Sequence, residues 1–368
     1  MPERGEEMTS GRGGSPHPPR QSRPKRGGCG EPPRKTHLTP PGVEALCTSG
    51  KKGEQKRPVD AAVFRTEHGI DGDAHAGTWH RQVSLLAAEN IEIVRRTLSD
   101  VRPGAFAENV VTSGIDLAAL GLGSRLRLGA DVILSVTQIG KACHTPCAIG
   151  RLTGDCIMPR LGLFARVLEG GEVRVGDAAE VVALVPRDRF QAVVVTVSDR
   201  CARGLTEDTA GPAAARMLEE DLDLHIYRYA VVPDEQDEIA ECLRHYADGH
   251  SIDLVVTVGG TGPAPRDVTP EATRAVVERP TPGFDEAMRA ASLAKTPHAM
   301  LSRGASGIRG ATLILNLPGS KRGATENLEA ILPALPHGLK KLRGDPADCG
   351  RPPDAGASTE PAPGNANA

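Results

Sequence analysis

The glycine-rich run LVVTVGGTGPAPRDVTPEAT combines several residue types that bind phosphate groups. Gly259, Gly260 and Gly262 allow a tight turn and let a ligand approach the backbone closely. Thr269, placed just before a proline, predicts a helix N-cap, and the N–H groups of a helix start attract anions. The run lacks the Gly-Lys-Ser/Thr of a P-loop and the G-x-G-x-x-G of a dinucleotide fold. The sequence therefore indicates an anion-binding turn of another kind, unless the glycines form only a tight turn.

Two aspartates, Asp267 in this run and Asp234 in VVPDE, predict a magnesium site. A carboxylate beside a bound phosphate is repelled unless a divalent cation lies between them, and Mg²⁺ usually takes one or two carboxylates plus phosphate oxygens. Each aspartate also has a simpler interpretation, since Asp267 could brace its own loop and Asp234 could cap a helix. The loop SDRCARGLTEDTAGP adds Ser198 and Asp199 to the candidate ligands, while some of its other polar residues serve turn formation.

Three apolar strands must position these loops. The runs AVVVTVSDR, DLVVTVGGTG and ATLILNLPGS each end in small residues, and helix-like segments separate them. This alternation predicts a mostly parallel sheet covered by helices on both faces. Because ligands of such sheets bind beyond the carboxyl ends of the strands, the loops that begin near Ser198, Gly259 and Pro318 should form one site.

The bulk composition is that of a two-domain globular protein. The 368 residues are 39% apolar and 25% charged, and the net charge of -3 gives no reason to expect nucleic acid as a partner. No apolar run reaches the roughly 18 residues that span a bilayer, and the start of the chain is not a secretory signal. Eight irregularly placed cysteines favour a reducing compartment, so we expect a cytoplasmic protein without membrane partners.

The predicted boundaries are two tails and two domains. The Gly-, Pro- and Arg-rich stretch 1–37 and the C-terminal stretch 345–368 have too few apolar residues to fold, although the basic N-terminal tail could contact acidic partners. The first domain is predicted at 38–186 and the second at 190–344, joined by PRDRFQ. Frequent turns and alternating apolar residues predict a mainly-β, barrel-like first domain, with VSLLAAENIEIVRRTL as its one clear amphipathic helix.

The second domain resembles the molybdopterin adenylyltransferase family. The motifs TVSDRCARGLTEDTAGP, VVPDE, TVGGTGPAPRDVTPEAT, PGFDEAMR, MLSRGASGIRG and LILNLPGS occur in the family's order across 191–344. The resemblance implies a three-layer α/β fold, often trimeric, and Mg²⁺-dependent transfer of AMP from ATP to the terminal phosphate of molybdopterin, which releases pyrophosphate.

The resemblance also implies roles for particular residues. Asp267 and Asp234 would hold Mg²⁺ and ATP as the catalytic carboxylates, and Ser320 stands where many relatives have Asn, so the contact made there is open. The remaining positions would bind substrate phosphate or pterin: Ser198, Asp199, Gly259, Gly260, Thr261, Gly262, Thr269, Ser302, Arg303, Pro318 and Gly319.

The first domain contains a cysteine-rich segment, TQIGKACHTPCAIGRLTGDC. Its cysteines and single histidine are consistent with buried structural thiols, with a weak zinc site or with one reactive thiolate. The domain resembles a MOSC domain through EHGIDGDAHAGTWHRQVSLLAAENI, GAFAENVVTSGIDL and GKACHTPCAIG. That resemblance implies a barrel-like fold that binds molybdenum cofactor, with a cysteine as sulfur carrier or metal ligand.

Cys143 and Cys147 both lie near the family's cysteine position, and Cys143 is slightly favoured. His75, His80, Arg81 and Asn109 lie in the other motifs, where basic and amide groups suit the phosphate and pterin of the cofactor; each could instead be a polar core residue.

Both domains thus indicate molybdenum cofactor biosynthesis, with ATP and molybdopterin as small-molecule partners, a molybdenum-insertion protein as a further partner, and a homo-oligomer such as a trimer. The alternative is a non-catalytic molybdopterin-binding or scaffold protein. The choice between molybdenum and tungsten, and the passage of intermediates between domains, stay open, although tethering raises the effective concentration of an intermediate.

Overall fold

The computed structural model describes residues 40–98, 100–140, 156–250 and 252–346. The predicted N-terminal tail lies outside this part of the chain, as do Cys143, Cys147 and nearly all of the C-terminal tail. The described residues form a sheet-rich N-terminal domain followed by an α/β domain. None of the described helices is long and apolar enough to cross a membrane.

The N-terminal domain contains an eight-stranded sheet, in the order β11-β7-β8-β9-β5-β6-β1-β2, and a three-stranded sheet, in the order β10-β3-β4. Its strands are β1 (Gly42–Thr48), β2 (Arg57–Val59), β3 (Ala61–Arg65), β4 (Gly69–Ile70), β5 (Val83–Ala87), β6 (Val110–Ser113), β7 (Arg125–Leu128), β8 (Val132–Ile139), β9 (Leu163–Glu169), β10 (Gly171–Arg174) and β11 (Ala179–Ala183). Its described helices are α1 (Ala88–Arg95), α2 (Met158–Leu161) and the 3-10 turn Leu117–Ala119.

The larger sheet curls so that its two ends approach each other. A single bridge pairs Gly42, at the start of β1, with Ala178, just before β11. The backbone N–H of Val43 also donates to the carbonyl of Asp177 over 2.8 Å. These contacts join the sheet ends at one point, and closure into a complete barrel stays a prediction.

The predicted amphipathic helix VSLLAAENIEIVRRTL is wrong in its first third. Val83–Ala87 forms β5, which pairs with β9 on one side and with β6 on the other, and only Ala88–Arg95 is helical. All five residues of β5 are buried. A central strand is covered on both faces, so its apolar run lacks the alternation that would have distinguished it from a helix.

The C-terminal domain contains a six-stranded sheet in the order β13-β12-β14-β17-β16-β15, of which the first four strands are parallel. The strands are β12 (Gln191–Val197), β13 (His225–Val232), β14 (Leu254–Val258), β15 (Arg279–Pro280), β16 (Gly307–Arg309) and β17 (Thr312–Leu317). The described helices are α3 (Asp199–Ala202), α4 (Ala210–Leu222), α5 (Gln236–Gly249), α6 (Thr269–Arg274), α7 (Pro282–Leu293), α8 (Lys321–Ile331), α9 (Leu335–Leu342) and the 3-10 turns Pro297–Leu301 and Leu332–Ala334.

Helices cover both faces of this sheet, as its apolar strands predict. Val193 and Val195 of β12 belong to the apolar cluster that contains Leu243 of α5. The intervening Val194 belongs to a second cluster, which contains Leu218 of α4. Successive side chains of a strand point to opposite faces, so one fully apolar strand supplies both layers of the core.

The two domains share a continuous apolar core, in which Val136 of β8 and Leu243 of α5 belong to the same cluster. The junction between the domains is held at both ends, because Pro186 pairs with Leu120 and the guanidinium of Arg189 donates to the carbonyl of Asp223 over 2.9 Å. The N-terminal domain therefore packs directly against its neighbour.

Three histidines meet where the domains touch. The ring of His80 lies 4.2 Å, centroid to centroid, from that of His250 and 6.1 Å from that of His245 at the end of α5. His250 donates from Nδ1 to the carbonyl of Thr137 over 2.9 Å. Burial lowers the pKa of His80 to about 3 and that of His250 to about 4, and it also lowers the pKa of His245. The contact is therefore built from neutral imidazoles.

These depressed pKa values predict a specific loss of stability in acid. The unfolded chain binds protons at these histidines near pH 6.5, whereas the folded protein resists protonation until the pH approaches about 4 for His250 and about 3 for His80. The contribution of these histidines to the free energy of unfolding should therefore be constant well above pH 6.5 and should fall as the pH drops from 6.5 toward 4. Urea unfolding at half-unit pH intervals measures this slope.

The variant His250→Gln should flatten that slope, because it removes one group that the fold keeps neutral. His298→Gln is the matched control, since His298 is exposed on the turn Pro297–Leu301 and should leave the slope as it is. Equal slopes for the wild type and His250→Gln would show that the histidine contact does not set the acid sensitivity.

Candidate functional site

Three loops lie side by side at the carboxyl edge of the C-terminal sheet. They follow β12, β14 and β17, which are adjacent parallel strands. The loop after β14 and the loop after β17 touch closely, because a Cβ atom on Gly319 would lie 3.2 Å from the Cα of Gly259. The predicted convergence of the loops that begin at Ser198, Gly259 and Pro318 is therefore what the structure shows.

The glycine turn itself leaves no room for side chains. Gly259 and Gly260 have φ angles of 113° and 63°, a region that glycine adopts without strain. A Cβ on Gly259 would lie 2.3 Å from the carbonyl oxygen of Val197, and one on Gly260 would lie 2.2 Å from Oγ1 of Thr269. Thr261, the next residue, is buried.

Thr269 does not cap its helix, contrary to the sequence prediction. The residue before α6 is Val268, which provides no side-chain cap, and Thr269 is the first residue within the helix. Its fully buried hydroxyl donates to the carbonyl of Gly259 over 2.9 Å, and its N–H donates to the carbonyl of Gly260 over 3.1 Å. Thr269 thus fixes the shape of the glycine turn from behind.

Asp199 and Asp234 form a reciprocal pair across two loops. The N–H of Asp199 donates to Oδ2 of Asp234 over 2.7 Å, and the N–H of Asp234 donates to Oδ1 of Asp199 over 3.3 Å. Arg266 donates from both Nε and Nη2 to Oδ2 of Asp199, and this guanidinium holds the pKa of the Asp199 carboxyl below its usual range. Asp234 therefore does not cap α5, because Glu235 occupies that position without a side-chain cap.

Of these carboxyl groups, that of Asp234 has a raised pKa. Burial raises its pKa, and the charges of Asp199 and Asp267 raise it further. Asp267 braces its own loop, since its Oδ2 accepts from the N–H of Ala264 over 2.9 Å. Three carboxylates therefore converge on one edge of the glycine turn, with Arg266 as a nearby counter-charge.

This donor set fits a magnesium ion that arrives with phosphate ligands. Within the described ranges, no three acidic, histidine or cysteine side chains converge closely enough to enclose a metal ion by themselves. Mg²⁺ does not need such a cage, since it keeps water and phosphate oxygens as ligands beside one or two carboxylates. Burial raises the pKa of Asp234, the charges of Asp199 and Asp267 raise it further, and a cation bound beside these carboxylates would lower it.

Arg303 holds the loop rather than pointing freely into the site. Its Nε donates to the carbonyl of Gly262 over 2.7 Å, its Nη1 donates to Glu271 over 2.7 Å, and its Nη2 donates to the carbonyl of Asp267. One planar guanidinium thus ties the glycine turn, the aspartate and α6 together. The neighbouring Ser302 lines a cavity together with Arg303.

A cavity of about 520 Å³ opens beside Arg303. Its polar wall includes Asp285 and Ser306, whose hydroxyl donates to Oδ1 of Asp285 over 2.6 Å and whose N–H donates to Oδ2 over 3.0 Å. Burial raises the pKa of Asp285. The motif PGFDEAMR contains Asp285, to which the sequence gives no role, because an acid in the first turn of a helix is a common surface feature.

Two other loop residues are helix caps. Ser320 caps α8, because its Oγ accepts from the N–H of Gly323 over 3.1 Å. Ser198 caps α3 in the same manner, accepting from the N–H of Cys201 over 3.3 Å. Pro318 and Gly319 connect β17 to Ser320, the cap of α8. Asn and Ser are equally good caps, so the departure from Asn at Ser320 keeps the helix start intact.

The N-terminal domain contains a buried ion pair that sequence analysis did not identify. Nζ of Lys56 lies 2.5 Å from Oδ2 of Asp73, and both side chains are almost completely buried. Although burial opposes it, hydrogen bonds from His75 and Lys56 hold the pKa of Asp73 well below its usual range. No local pattern marks this pair, which joins residues from two separate loops.

The four other residues predicted for this domain have different surroundings. Asn109 uses its whole side chain internally, accepting from Ser84 and donating to Asp73 over 3.0 Å and to the carbonyl of Cys47 over 3.1 Å. His75 lies beside the ion pair, and His80 lies in the histidine contact between domains. Arg81 keeps its Nε buried without a hydrogen-bond partner among the described residues. The predicted Cys143 and Cys147 lie outside the described residues.

Comparison with known proteins locates both domains. A family model described as a probable molybdopterin binding domain matches residues 193–337, and a MOSC domain model matches residues 72–180. The molybdopterin adenylyltransferase of Helicobacter pylori is 46% identical over 154 residues, which cover 41% of this chain and 87% of that protein. The Escherichia coli enzyme of the same name is 45% identical over 139 residues, which cover 38% of this chain and 71% of that protein.

A solved structure of a molybdopterin biosynthesis enzyme, MoaB of Thermus thermophilus, is 50% identical and covers 43% of this chain and 98% of that one, with a TM-score of 0.41. The chain therefore belongs to the molybdopterin adenylyltransferase family, and it joins a nucleotidyltransferase domain of that family to an N-terminal MOSC domain.

Proposed function

We propose that the C-terminal domain transfers AMP from ATP to the terminal phosphate of molybdopterin in a magnesium-dependent reaction that releases pyrophosphate. The observation that carries this proposal is the convergence of Asp199, Asp234 and Asp267 beside the glycine turn, where burial raises the pKa of Asp234 and the charges of the other two carboxylates raise it further. Similar proteins that carry the name molybdopterin adenylyltransferase support it.

The reaction requires that several negative charges be brought together and aligned. The terminal phosphate of molybdopterin attacks the α-phosphorus of ATP, the bond from that phosphorus to the β-phosphate oxygen breaks, and pyrophosphate leaves. Positioning and charge neutralisation dominate such phosphoryl-type transfers. Asp234 and Asp267 would hold Mg²⁺, which supplies positive charge to the phosphates when it is bound.

The residues around these carboxylates have supporting roles. The glycine turn presents backbone to a phosphate without interference from side chains, and Thr269 fixes that turn from behind. Arg303 holds Asp267 next to the glycine turn, because its guanidinium donates hydrogen bonds to the backbone carbonyls of both Gly262 and Asp267. The cavity beside Ser302 takes the pterin, and Asp285 offers a fixed carboxylate to the ring's amino groups.

The MOSC domain, in our proposal, binds molybdenum cofactor or carries sulfur on Cys143 or Cys147. Replacing each cysteine singly by alanine and measuring retained cofactor would distinguish these roles. Equal retention in both variants would remove the idea of a thiol ligand.

The competing function is a non-catalytic molybdopterin-binding or scaffold protein. Incubation with ATP, Mg²⁺ and molybdopterin separates the two, because only the transferase releases pyrophosphate. Retention of both Asp234 and Asp267 favours catalysis.

The proposed catalytic loops and the contact with the MOSC domain lie at opposite edges of the C-terminal sheet. The histidine contact lies at the amino edge of the C-terminal sheet, since His250 precedes β14, whereas the three loops follow the carboxyl ends. β12 has seven residues and thus spans about 23 Å. If the MOSC site lies on the side of that contact, an intermediate made in one chain has to travel around the sheet, so we expect equal flux through the fused and the separated halves.

The variant Asp267→Asn should abolish pyrophosphate release while the protein stays folded. It removes one negative charge from the proposed magnesium ligands, yet the amide oxygen can still accept from the N–H of Ala264. Pyrophosphate formation at saturating ATP and Mg²⁺, with circular dichroism as the folding check, measures the effect.

Asp221→Asn serves as the matched control, because Asp221 is exposed on α4 away from the loops. It should keep full activity. Full activity of Asp267→Asn would overturn the metal-binding role of this aspartate.

Ser320 gives a separate test of the helix cap. Ser320→Ala should lower the free energy of unfolding by about 1 kcal/mol, since it removes the acceptor for the N–H of Gly323. Ser320→Asn should remain within a few tenths of a kcal/mol of the wild type, because asparagine caps equally well. Denaturant unfolding of the three proteins compares them, and an equal loss in both variants would argue against capping.

A further inference from the structure

The guanidinium of Arg266 connects the segments that follow three adjacent strands of the C-terminal sheet. Its Nη2 donates to Oδ2 of Asp199, at the start of α3 after β12, over 2.8 Å, and its Nε donates to the same oxygen over 3.2 Å. Nη2 also lies 2.9 Å from Oε1 of Glu235, which follows β13. Arg266 itself follows β14, so one side chain joins the ends of β12, β13 and β14.

These ion pairs lie at the surface of the protein and are easily exchanged. The side chains of Arg266 and Glu235 are 54% and 52% exposed, and that of Asp199 is 26% exposed. Exposed ion pairs contribute little to stability, because water screens their charges and because holding two long side chains in one geometry costs entropy. A ligand that carries more negative charge than one carboxylate can therefore take the guanidinium away from these partners.

Arg303, a second arginine beside the glycine turn, lacks this freedom. Its guanidinium donates to the carbonyls of Gly262 and Asp267 and to the carboxylate of Glu271, so turning it away would leave backbone acceptors unpaired. Within the described ranges Arg266 donates only to carboxylates, and it can turn away without that penalty. Of these two arginines, Arg266 is therefore the one that can bind a ligand directly.

Arg266 is also close to the proposed magnesium ligands. It directly precedes Asp267 in the sequence, so the Cα atoms of the two residues lie about 3.8 Å apart. Its guanidinium lies beside the reciprocal pair of Asp199 and Asp234. A planar fork of N–H donors matches two oxygens of a phosphate group, which the point charge of a lysine does not.

We propose that Arg266 exchanges Asp199 and Glu235 for the β- and γ-phosphates of ATP and then holds the pyrophosphate that leaves. This role rests on the adenylyl transfer proposed for the C-terminal domain, and it assigns that reaction a residue for its leaving group. As the bond from the α-phosphorus to the β-phosphate oxygen breaks, the electron pair stays on that oxygen. The N–H groups of Arg266 stabilise the resulting negative charge. In the free protein the same guanidinium neutralises two carboxylates instead.

Equilibrium binding to the full chain tests this exchange with two probes, magnesium pyrophosphate and AMP. Pyrophosphate contains the two phosphate groups that Arg266 would bind, whereas AMP contains only the α-phosphate. Titration calorimetry at one fixed salt concentration gives both dissociation constants. Arg266→Gln should weaken pyrophosphate binding by about tenfold or more and should leave AMP binding unchanged. Arg266→Lys should recover part of the loss, since the charge remains without the fork.

Glu235→Gln separates ligand binding from simple bracing of the loops. It removes a carboxylate that competes for the guanidinium, so pyrophosphate should bind about threefold more tightly than it does to the wild type. The same change made in Arg266→Gln should have little effect, because the guanidinium is then absent. Arg244→Gln is the matched control for the arginine variant, because Arg244 is exposed in the third turn of α5, and it should bind both probes as the wild type does.

Unchanged pyrophosphate affinity in Arg266→Gln would overturn the proposal, as would equal losses of pyrophosphate and AMP affinity, which would indicate a general disruption of the site. Weaker or unchanged pyrophosphate binding by Glu235→Gln would also overturn it, because the ion pairs would then only brace the loops. This variant tests the proposal even if Arg266→Gln fails to fold. Pyrophosphate release by the wild-type protein from ATP and molybdopterin is a separate measurement: its absence would contradict the adenylyl transfer, whereas the binding results decide the role of Arg266.

Discussion

The parallel register of β12, β14 and β17 is the constraint on which the candidate catalytic site depends. Backbone pairing sets Val195 against Thr257, and Thr257 against Asn316. The side chain of Asn316 donates to the hydroxyl of Thr257 over 2.9 Å, which adds a polar lock to this register. Every residue of these strands is buried, so a slip of one position would exchange the side chains that pack on the two helical layers. Because the three strands end at the same level, their loops converge wherever the sheet forms.

The converged loops concentrate negative charge, and the surrounding structure controls that charge in two ways. Backbone N–H groups bind Asp199 and Asp234 reciprocally, and Arg266 adds a positive charge on the solvent side. Neither the backbone N–H groups nor Arg266 contacts all three carboxylates, and the pKa of Asp234 is raised by burial and further by the charges of Asp199 and Asp267. A cation that joins Asp234 and Asp267 removes this repulsion. The convergence of the loops and the proposed binding of a counter-ion therefore rest on one arrangement.

The MOSC domain contains one buried charge pair and one partly buried cation without a partner among the described residues. Lys56 and Asp73 neutralise each other inside the fold, whereas Arg81 has no such partner among the described residues. Between Arg81 and Trp79 in sequence lies His80, whose ring turns the other way and packs on the neighbouring domain. One short loop thus serves both the surface of the MOSC domain and the contact that joins the domains. The contact requires uncharged imidazoles, while the surface retains unneutralised cations.

The sequence by itself determined the order of strands, loops and helices in the C-terminal domain, because fully apolar runs and glycine turns are local patterns. It also determined the family of each domain, since those motifs keep their order and spacing. The sequence-based prediction was wrong where burial on both faces removes the alternation of apolar and polar residues, as in Val83–Ala87, a central strand that was predicted as the start of a helix. Only the tertiary structure decided what the polar residues do: Thr269 supports the glycine turn, Arg303 ties a loop to α6, Ser320 caps α8 and Asn109 is wholly internal. The physical reason is that a polar side chain's role depends on its hydrogen-bond partners, and many of those partners lie tens of residues away along the chain.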